Sequence, residues 1–458
     1  MQQSFDAIVV GAGQAGPSLA HRLAKAGWKV AMVERHLFGG TCVNTGCTPT
    51  KAMVASAHAA HLARRGGDFG VETGPVRVDM RAVRARKDAV VLPSRTGVEK
   101  SLREEKNCTV FQGTAVFASA TTMRVGENVL EAPKIFLNVG ARPAVPAMPG
   151  VDRVPFLTST TILDLEEVPE HLIVVGGGYV GLEFAQMFRR FGSAVTMIER
   201  SARLAPQEDE EASRVIDEVF AAEGIAVRTH ANCIHLEEKG GAVTVGLECN
   251  EGAPHIAGSH VLLAVGRVPN TDDLGLAAAG LAADERGFIP VDDELRTRVP
   301  GIYALGDCNG RGGFTHTAYN DFEIVAENLL SGGSRRVSDR IAASAVYIDP
   351  PLARVGLSEA EVRRSGRAAL VGRRPMTRVS RAIEKGETFG YIKVLVDRES
   401  GHILGGTVFG TGGDEAVHCI LTAMYARQPY SLLTHAVHIH PTVAELIPTT
   451  LEDLKPLE

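Results

Sequence analysis

Two glycine turns of the form G-x-G-x-x-G constrain most of what this chain can become. Gly11-Ala12-Gly13-Gln14-Ala15-Gly16 follows a short apolar strand, Phe5 to Val10, and opens a helical pattern from Ala15 to Ala26. A second strand, Lys29 to Glu34, closes the unit on an acid. Such glycines permit a tight turn and close backbone approach to a pyrophosphate, while the helix N-terminus supplies N–H donors and a positive dipole end. Glu34 stands where a carboxylate bonds a ribose hydroxyl. Gly176-Gly177-Gly178-Tyr179-Val180-Gly181 repeats the grammar between a strand, Leu172 to Val175, and a helix, Leu182 to Phe191. Ala194 to Glu199 is the second strand of that unit, again ending on an acid. Two units of this kind imply an α/β chain with two dinucleotide sites.

The rest of the chain has to be divided around them. Its 458 residues exceed one ordinary core and suggest three or so domains. A helical stretch, Lys51 to Arg65, and a β-rich connection, Thr109 to Val139, separate the repeats. Thr244 to Val265 again reads as β, and Thr317 to Leu330 as a helix. Gly332-Gly333-Ser334-Arg335-Arg336 is the clearest linker. Beyond it, Tyr391 to Val396 and His402 to Phe409 predict a β-hairpin, followed by a helix from Asp414 to Tyr425. Two further segments resemble each other, Ile135 to Pro143 with Gly140 and Val261 to Pro269 with Gly266; alone they read as β-to-turn connections.

Charge and composition exclude several classes. A net charge of −6 gives no electrostatic case for nucleic acid or an anionic membrane. No apolar run approaches the ~18 residues of a span, and the N-terminal segment lacks a signal peptide's basic region, so the expectation is a cytoplasmic protein without membrane or nucleic-acid partners.

Seven cysteines, mostly far apart, do not form a secreted disulfide framework. Cys42 and Cys47 are the exception, in Gly39-Gly40-Thr41-Cys42-Val43-Asn44-Thr45-Gly46-Cys47-Thr48-Pro49-Thr50-Lys51. The pair sits where the chain leaves the first unit and starts a helix. A thiol near a helix N-terminus and a lysine is acidified toward thiolate. No third Cys or His stands at zinc spacing, which favours a redox pair over a metal site. Near the C-terminus, His440-Pro441-Thr442-Val443-Ala444-Glu445 offers an imidazole and a carboxylate. Such a pair is commonly structural, but thiol–disulfide exchange needs a proton donor and acceptor at the leaving sulfur. His58 and His61, one helical turn apart, read as half-buried helix histidines. Asp307, ending Gly301 to Asp307, either bonds the polar chain of a flavin or caps the next helix.

Together these motifs resemble the pyridine nucleotide–disulfide oxidoreductase family, which includes lipoamide dehydrogenase, glutathione reductase and mercuric reductase. The resemblance covers essentially the whole chain. It implies two Rossmann-like dinucleotide-binding domains plus a C-terminal α+β dimerisation domain. The implied division is a FAD domain over 1–145, an NAD(P) domain over 146–268, a central domain completing the FAD site over 269–335, and an interface domain over 336–458. It further implies FAD held by Gly11, Gly13, Gly16, Glu34, Gly40, Thr41, Lys51, Gly140 and Asp307, and a nicotinamide dinucleotide held by Gly176, Gly178, Tyr179, Gly181, Glu199, Arg200 and Gly266. Cys42 matches the thiol that attacks substrate, Cys47 the thiol that contacts the flavin. Lys51 and Glu183 match a lysine–glutamate pair beside the flavin, and Tyr179 a tyrosine that gates the nicotinamide pocket. The active site of a homodimer would join Cys42 and Cys47 of one subunit to His440 and Glu445 of the other.

The expected activity passes electrons from NAD(P)H through FAD and a Cys42–Cys47 disulfide to a small disulfide, or runs in reverse on a dithiol. Glu199 favours NADH, with NADPH still accepted. One alternative is reduction of a soft metal ion such as Hg(II) or Cu(II): Thr48-Pro49-Thr50-Lys51 and Phe314-Thr315-His316-Thr317 look mercuric-reductase-like. Retention of His440, and an end Asp453 to Glu458 without a vicinal cysteine pair, point away from it. An alternative of another class is a redox-sensing flavoprotein without turnover.

Overall fold

The computed structural model describes residues 2–239, 242–248 and 254–457. Its first sheet is five parallel strands in the order Ile302–Ala304, Lys134–Leu137, Ala7–Val10, Val30–Glu34, Cys108–Gln112. Helix α1, Ala15–Lys25, packs on one face of it. Its buried positions Leu19, Ala20, Leu23 and Ala24 recur at helical spacing, so one stripe faces the sheet. The chain then forms α2, Gly40–Asn44, α3, Cys47–Arg64, and α4, Met80–Glu104.

A second five-stranded parallel sheet runs Leu157–Thr158, His260–Leu263, His171–Val175, Ala194–Ile198, Ala226–Arg228. Helix α5, Tyr179–Phe191, follows its glycine turn, and α6, Glu210–Glu223, follows its next strand. The turns of the two units are held alike. Gly11 has φ +100°, and a Cβ there would lie 2.2 Å from the Asn138 carbonyl oxygen. Gly176 has φ +113°, and a Cβ there would lie 2.4 Å from the Ala264 carbonyl oxygen. In each unit the neighbouring parallel strand presses on the turn, so glycine is required twice for the same reason.

The two look-alike connections meet each other: Ala141–Pro143 pairs antiparallel with Arg267–Pro269. Helix α7, Thr315–Leu330, then precedes a six-stranded sheet in which Leu352–Gly356, Ile403–Phe409 and Tyr391–Asp397 are adjacent and antiparallel. The hairpin and the helix Gly413–Tyr425 that follows it stand where expected. The two five-stranded parallel sheets with their helices and the six-stranded antiparallel sheet, the largest of six among the described residues, make the predicted α/β class with a C-terminal α+β part.

Three helices start earlier than the apolar pattern predicts. Helix α3 begins at Cys47, α5 at Tyr179 and α7 at Thr315. In each case the first turn carries the motif residues, which face the site and so break the apolar period. The β reading of Thr244 to Val265 holds at Ala242–Glu248, His255–Gly258 and His260–Leu263, while 249–253 lie outside the described residues. Among the described residues no helix is long and apolar enough to cross a membrane.

Candidate active site

Cys42 lies in α2 and Cys47 is the first residue of α3, so Cys47 stands at the positive end of that helix. Both are free thiols here, and they interact directly. The hydrogen bond from Cys42 brings the Cys47 thiol down to about 6, against the opposing effect of burial. Thr315, whose Oγ1 lies 3.2 Å from Cys47 Sγ, and the Lys51 ammonium pull the same way. The same bond to Cys47, with burial, pushes Cys42 far up. The pair therefore holds one thiolate and one thiol, the arrangement in which one sulfur carries charge and the other a proton.

Lys51 is one turn beyond Cys47 on α3. Its Nζ donates to both carboxylate oxygens of Glu183 on α5, at 2.9 and 2.8 Å, and lies 4.7 Å from the centre of the Tyr347 ring. The Tyr347 backbone N–H also donates to Glu183 at 2.9 Å. The loop between the cysteines is held from α4: Arg95 Nε donates to Asn44 Oδ1 at 2.6 Å, and Asn44 donates to the carbonyls of Phe38 and Gly40, each at 2.9 Å.

One cavity of about 1320 Å³ joins these groups to the first glycine turn. Gly11, Gly13, Glu34, Gly40, Thr41, Gly140 and Asp307 line it together with Cys42, Cys47, Lys51, Tyr179 and Glu183. Glu34 accepts from the N–H groups of Ala12 and His36, both at 2.7 Å, which fixes its carboxylate at the strand end. Burial pushes the Asp307 carboxyl up, opposed by Arg267 at 4.0 Å. The close-approach glycines, the strand-end acid and the cavity shared with the sulfur pair fit an extended dinucleotide such as FAD.

The second unit repeats the acid's geometry. Glu199 accepts from the N–H groups of Gly177 and Ser201, both at 2.6 Å, and Arg200 beside it is exposed. Gly16 and Gly181 sit inside α1 and α5, behind their turns, and Gly178 caps α5. Gly266 has φ +123° at the start of the paired connection. His440 and Glu445 form the expected pair, Nδ1 to the carboxylate oxygens at 3.0 and 3.1 Å, but they do not line this chain's cavity. The His440 side chain is 73% exposed, free to meet another surface. His58 bonds Asp349 at 2.8 Å, the structural role expected of it.

Three residues here escape sequence reasoning, Tyr347, Arg95 and Glu208, while Thr315 lies in a segment that the sequence singles out without giving this residue a role. The Tyr179 hydroxyl donates to Glu208, whose other oxygen accepts from Arg354 Nε at 2.9 Å. Burial and Glu208 together push the Tyr179 phenol up to about 12. No local pattern marks these residues, because each acts on a partner distant in the chain.

Known proteins resemble this chain along nearly its whole length. The model of the pyridine nucleotide-disulphide oxidoreductase family matches residues 5–321, and that of its dimerisation domain matches residues 342–451. The chain is 35% identical to the probable pyridine nucleotide-disulfide oxidoreductase RclA of Escherichia coli, over 96% of this chain and 97% of that one. It is 34% identical to a mercuric reductase of Streptomyces lividans, covering 97% and 94% of the two chains. It is 33% identical to a dihydrolipoyl dehydrogenase of Chlamydia muridarum, covering 97% and 96%. The solved Cu(II) complex of the HOCl-induced flavoprotein disulfide reductase RclA superposes with a TM-score of 0.89 at 33% identity, covering 98% of this chain and 99% of that one. The chain belongs to the pyridine nucleotide-disulphide oxidoreductase family, flavoprotein enzymes that use FAD and a pyridine nucleotide to act on sulfur groups.

Proposed function

We propose that this chain is an NADH-preferring disulfide reductase that works as a homodimer, with Cys42 and Cys47 of one subunit facing His440 and Glu445 of the other. The observation that carries the reading is the asymmetric sulfur pair. Cys47 stands at the start of α3, 3.2 Å from Thr315 Oγ1 and one turn from the Lys51–Glu183 pair, surroundings that lower its thiol pKa, while the bond to Cys47 and burial raise that of Cys42. When bound, FAD supplies the hydride acceptor that links the nicotinamide to the sulfurs. Gly11, Gly13, Gly40, Thr41, Gly140, Glu34 and Asp307 would hold it, with Lys51 near its reactive end.

The sulfur steps belong to the chain's own residues. Cys42 passes its proton to His440 and attacks one sulfur of the substrate disulfide, forming a mixed disulfide. The departing thiolate takes a proton from His440, which Glu445 orients through Nδ1. Cys47 then attacks Cys42 and closes the Cys42–Cys47 disulfide, and the second thiolate released takes its proton from solvent. Two electrons leave the pair, and the substrate gains two electrons and two protons. Dithiol oxidation with NAD runs the same steps backwards.

A second reading, reduction of a soft metal ion, draws on the mercuric reductase and the Cu(II)-complexed RclA among the relatives. Soft thiolates suit such ions. Parallel NADH-oxidation assays with glutathione disulfide, lipoamide, Hg(II) and Cu(II) separate the two. Turnover with a disulfide, lost in Cys42→Ser, supports the first; turnover with the metals alone supports the second. Failure with every acceptor would favour a redox sensor.

A further inference from the structure

We propose that Glu208 is the latch that holds Tyr179 across the nicotinamide pocket, so that it acts as a positioning residue for dinucleotide entry. The inference rests on the reading of Tyr179 as the gate of that pocket. Tyr179 opens α5 directly after the glycine turn and lines the cavity that contains Cys47 and Lys51. Its ring lies 6.2 Å from that of Phe314, which stacks on His316 at 5.2 Å. Tyr179 therefore stands where the second glycine turn meets the cavity lined by Lys51 and Glu183. The ring is held through its hydroxyl, which donates to Glu208 and also meets the Ser344 side chain.

Glu208 is built for holding rather than for contact with solvent. It is only 4% exposed, and both oxygens are used, one by Tyr179 and one by Arg354. Arg354 comes from the six-stranded C-terminal sheet, so the gate is tied to a rigid element outside its own unit. The loop carrying Glu208 is pinned to the glycine turn by the Ala205 N–H, which donates to the Gly177 carbonyl at 2.9 Å. A hydrogen bond to a carboxylate is stronger than one between neutral groups. A nicotinamide that must displace Tyr179 binds with an affinity reduced by the fraction of molecules whose gate is open.

The test separates the nicotinamide from the rest of its dinucleotide. The oxidised holoenzyme is titrated calorimetrically with NAD+, and separately with ADP-ribose, which lacks the nicotinamide. Tyr179→Phe and Glu208→Ala should each tighten NAD+ by about tenfold, since both release the gate. ADP-ribose affinity should stay unchanged, and the double variant should match either single one. Glu208→Gln, which keeps the shape and removes the charge, should fall between wild type and Glu208→Ala, and it stands in if the alanine variant does not fold. NAD+ and ADP-ribose shifting together, or effects that add in the double variant, would make Glu208 a mere prop of the loop and overturn the latch. A wild-type holoenzyme that binds neither ligand would overturn the nucleotide site itself, and the latch with it.

Discussion

Lys51 Nζ meets both carboxylate oxygens of Glu183, at 2.9 and 2.8 Å, and so ties the helix of the sulfur pair to the helix of the second glycine turn. Its charge also reaches the sulfurs: Lys51 lowers the Cys47 pKa, and Glu183 raises it. Removing the cation therefore moves the Cys47 titration up, and neutralising the acid moves it down. In the reduced protein, the pH midpoint of Cys47 alkylation should rise in Lys51→Met and fall in Glu183→Gln. The reverse order would mean that the pair does not act on the sulfur.

Cys47 rather than Cys42 should be the thiolate against the flavin. With its thiol lowered to about 6, it is ionised above that pH and protonated below it. Cys42→Ser holoenzyme should keep a long-wavelength absorption band that fades on acidification, at a higher pH than in wild type to the extent that the serine hydroxyl fails to replace the lost Cys42 hydrogen bond. Cys47→Ser should show no such band. A band retained only in Cys47→Ser would exchange the two roles.

His440 serves sulfur, not hydride. His440→Ala should slow the disulfide half-reaction about a hundredfold and leave flavin reduction by NADH at the wild-type rate. Co-expression of Cys42→Ser with His440→Ala chains tests the shared site. A mixed dimer has one site with both lesions and one with neither, so it should recover about half of wild-type activity per dimer. Stopped-flow traces with slow flavin reduction, or mixed dimers without activity, would contradict the assignment.

What the sequence makes legible is what a short stretch must satisfy by itself. Gly11 and Gly176 are readable because positive φ and a carbonyl pressed on the turn leave room for no other residue. Lys51 is readable beside Cys47 because four residues make one helical turn. Thr315 reaches Cys47 from 268 residues away, and only the tertiary fold brings the two together. Helix α4 is silent for another reason. Its buried positions are only Met80, Lys87, Val91 and Leu102, and Pro93 interrupts it, so no apolar stripe repeats along its length. Yet Arg95 on that helix holds Asn44 in the loop between the two cysteines.

Asp349 should be a stability centre outside the chemistry. It accepts from Arg190 at 2.5 Å and from His58 at 2.8 Å, joining α5 and α3 to the segment before Leu352–Gly356. Burial opposes its charge, but the His58 hydrogen bond and the Arg190 guanidinium overcome it and hold the carboxyl well below the usual range. A depressed carboxylate contributes stability above its unfolded pKa, about 3.9, and loses it as pH falls through the folded value. Asp349→Asn should cost about 1–3 kcal/mol at neutral pH, the scale of a hydrogen bond to a charged group, because Arg190 keeps its two bonds to Glu223. Its denaturation midpoint should also depend less on pH below 4 than that of wild type. Equal acid sensitivity in both would remove Asp349 from the account.

The nicotinamide preference should be set by Glu199. Its carboxylate is fixed at the end of the second strand by the N–H groups of Gly177 and Ser201, the position Glu34 takes in the first unit. A carboxylate there accepts from a ribose 2′-OH and repels a 2′-phosphate. The neighbouring arginines are the opposing influence, since an arginine can fork onto that phosphate. Arg203 is turned away: it donates to the Pro206 carbonyl at 3.0 Å and to Ser213 Oγ at 3.4 Å. Arg200 alone is left exposed to answer a phosphate, and an exposed side chain loses more freedom on binding than one already placed. NADH should therefore exceed NADPH in kcat/KM by about tenfold or more, the scale of one unfavourable charge contact in a confined site. Glu199→Ala should narrow that ratio by raising NADPH, and adding Arg200→Ala should widen it again. A wild-type preference for NADPH would overturn the prediction, and a ratio unchanged in Glu199→Ala would take the selection away from this carboxylate.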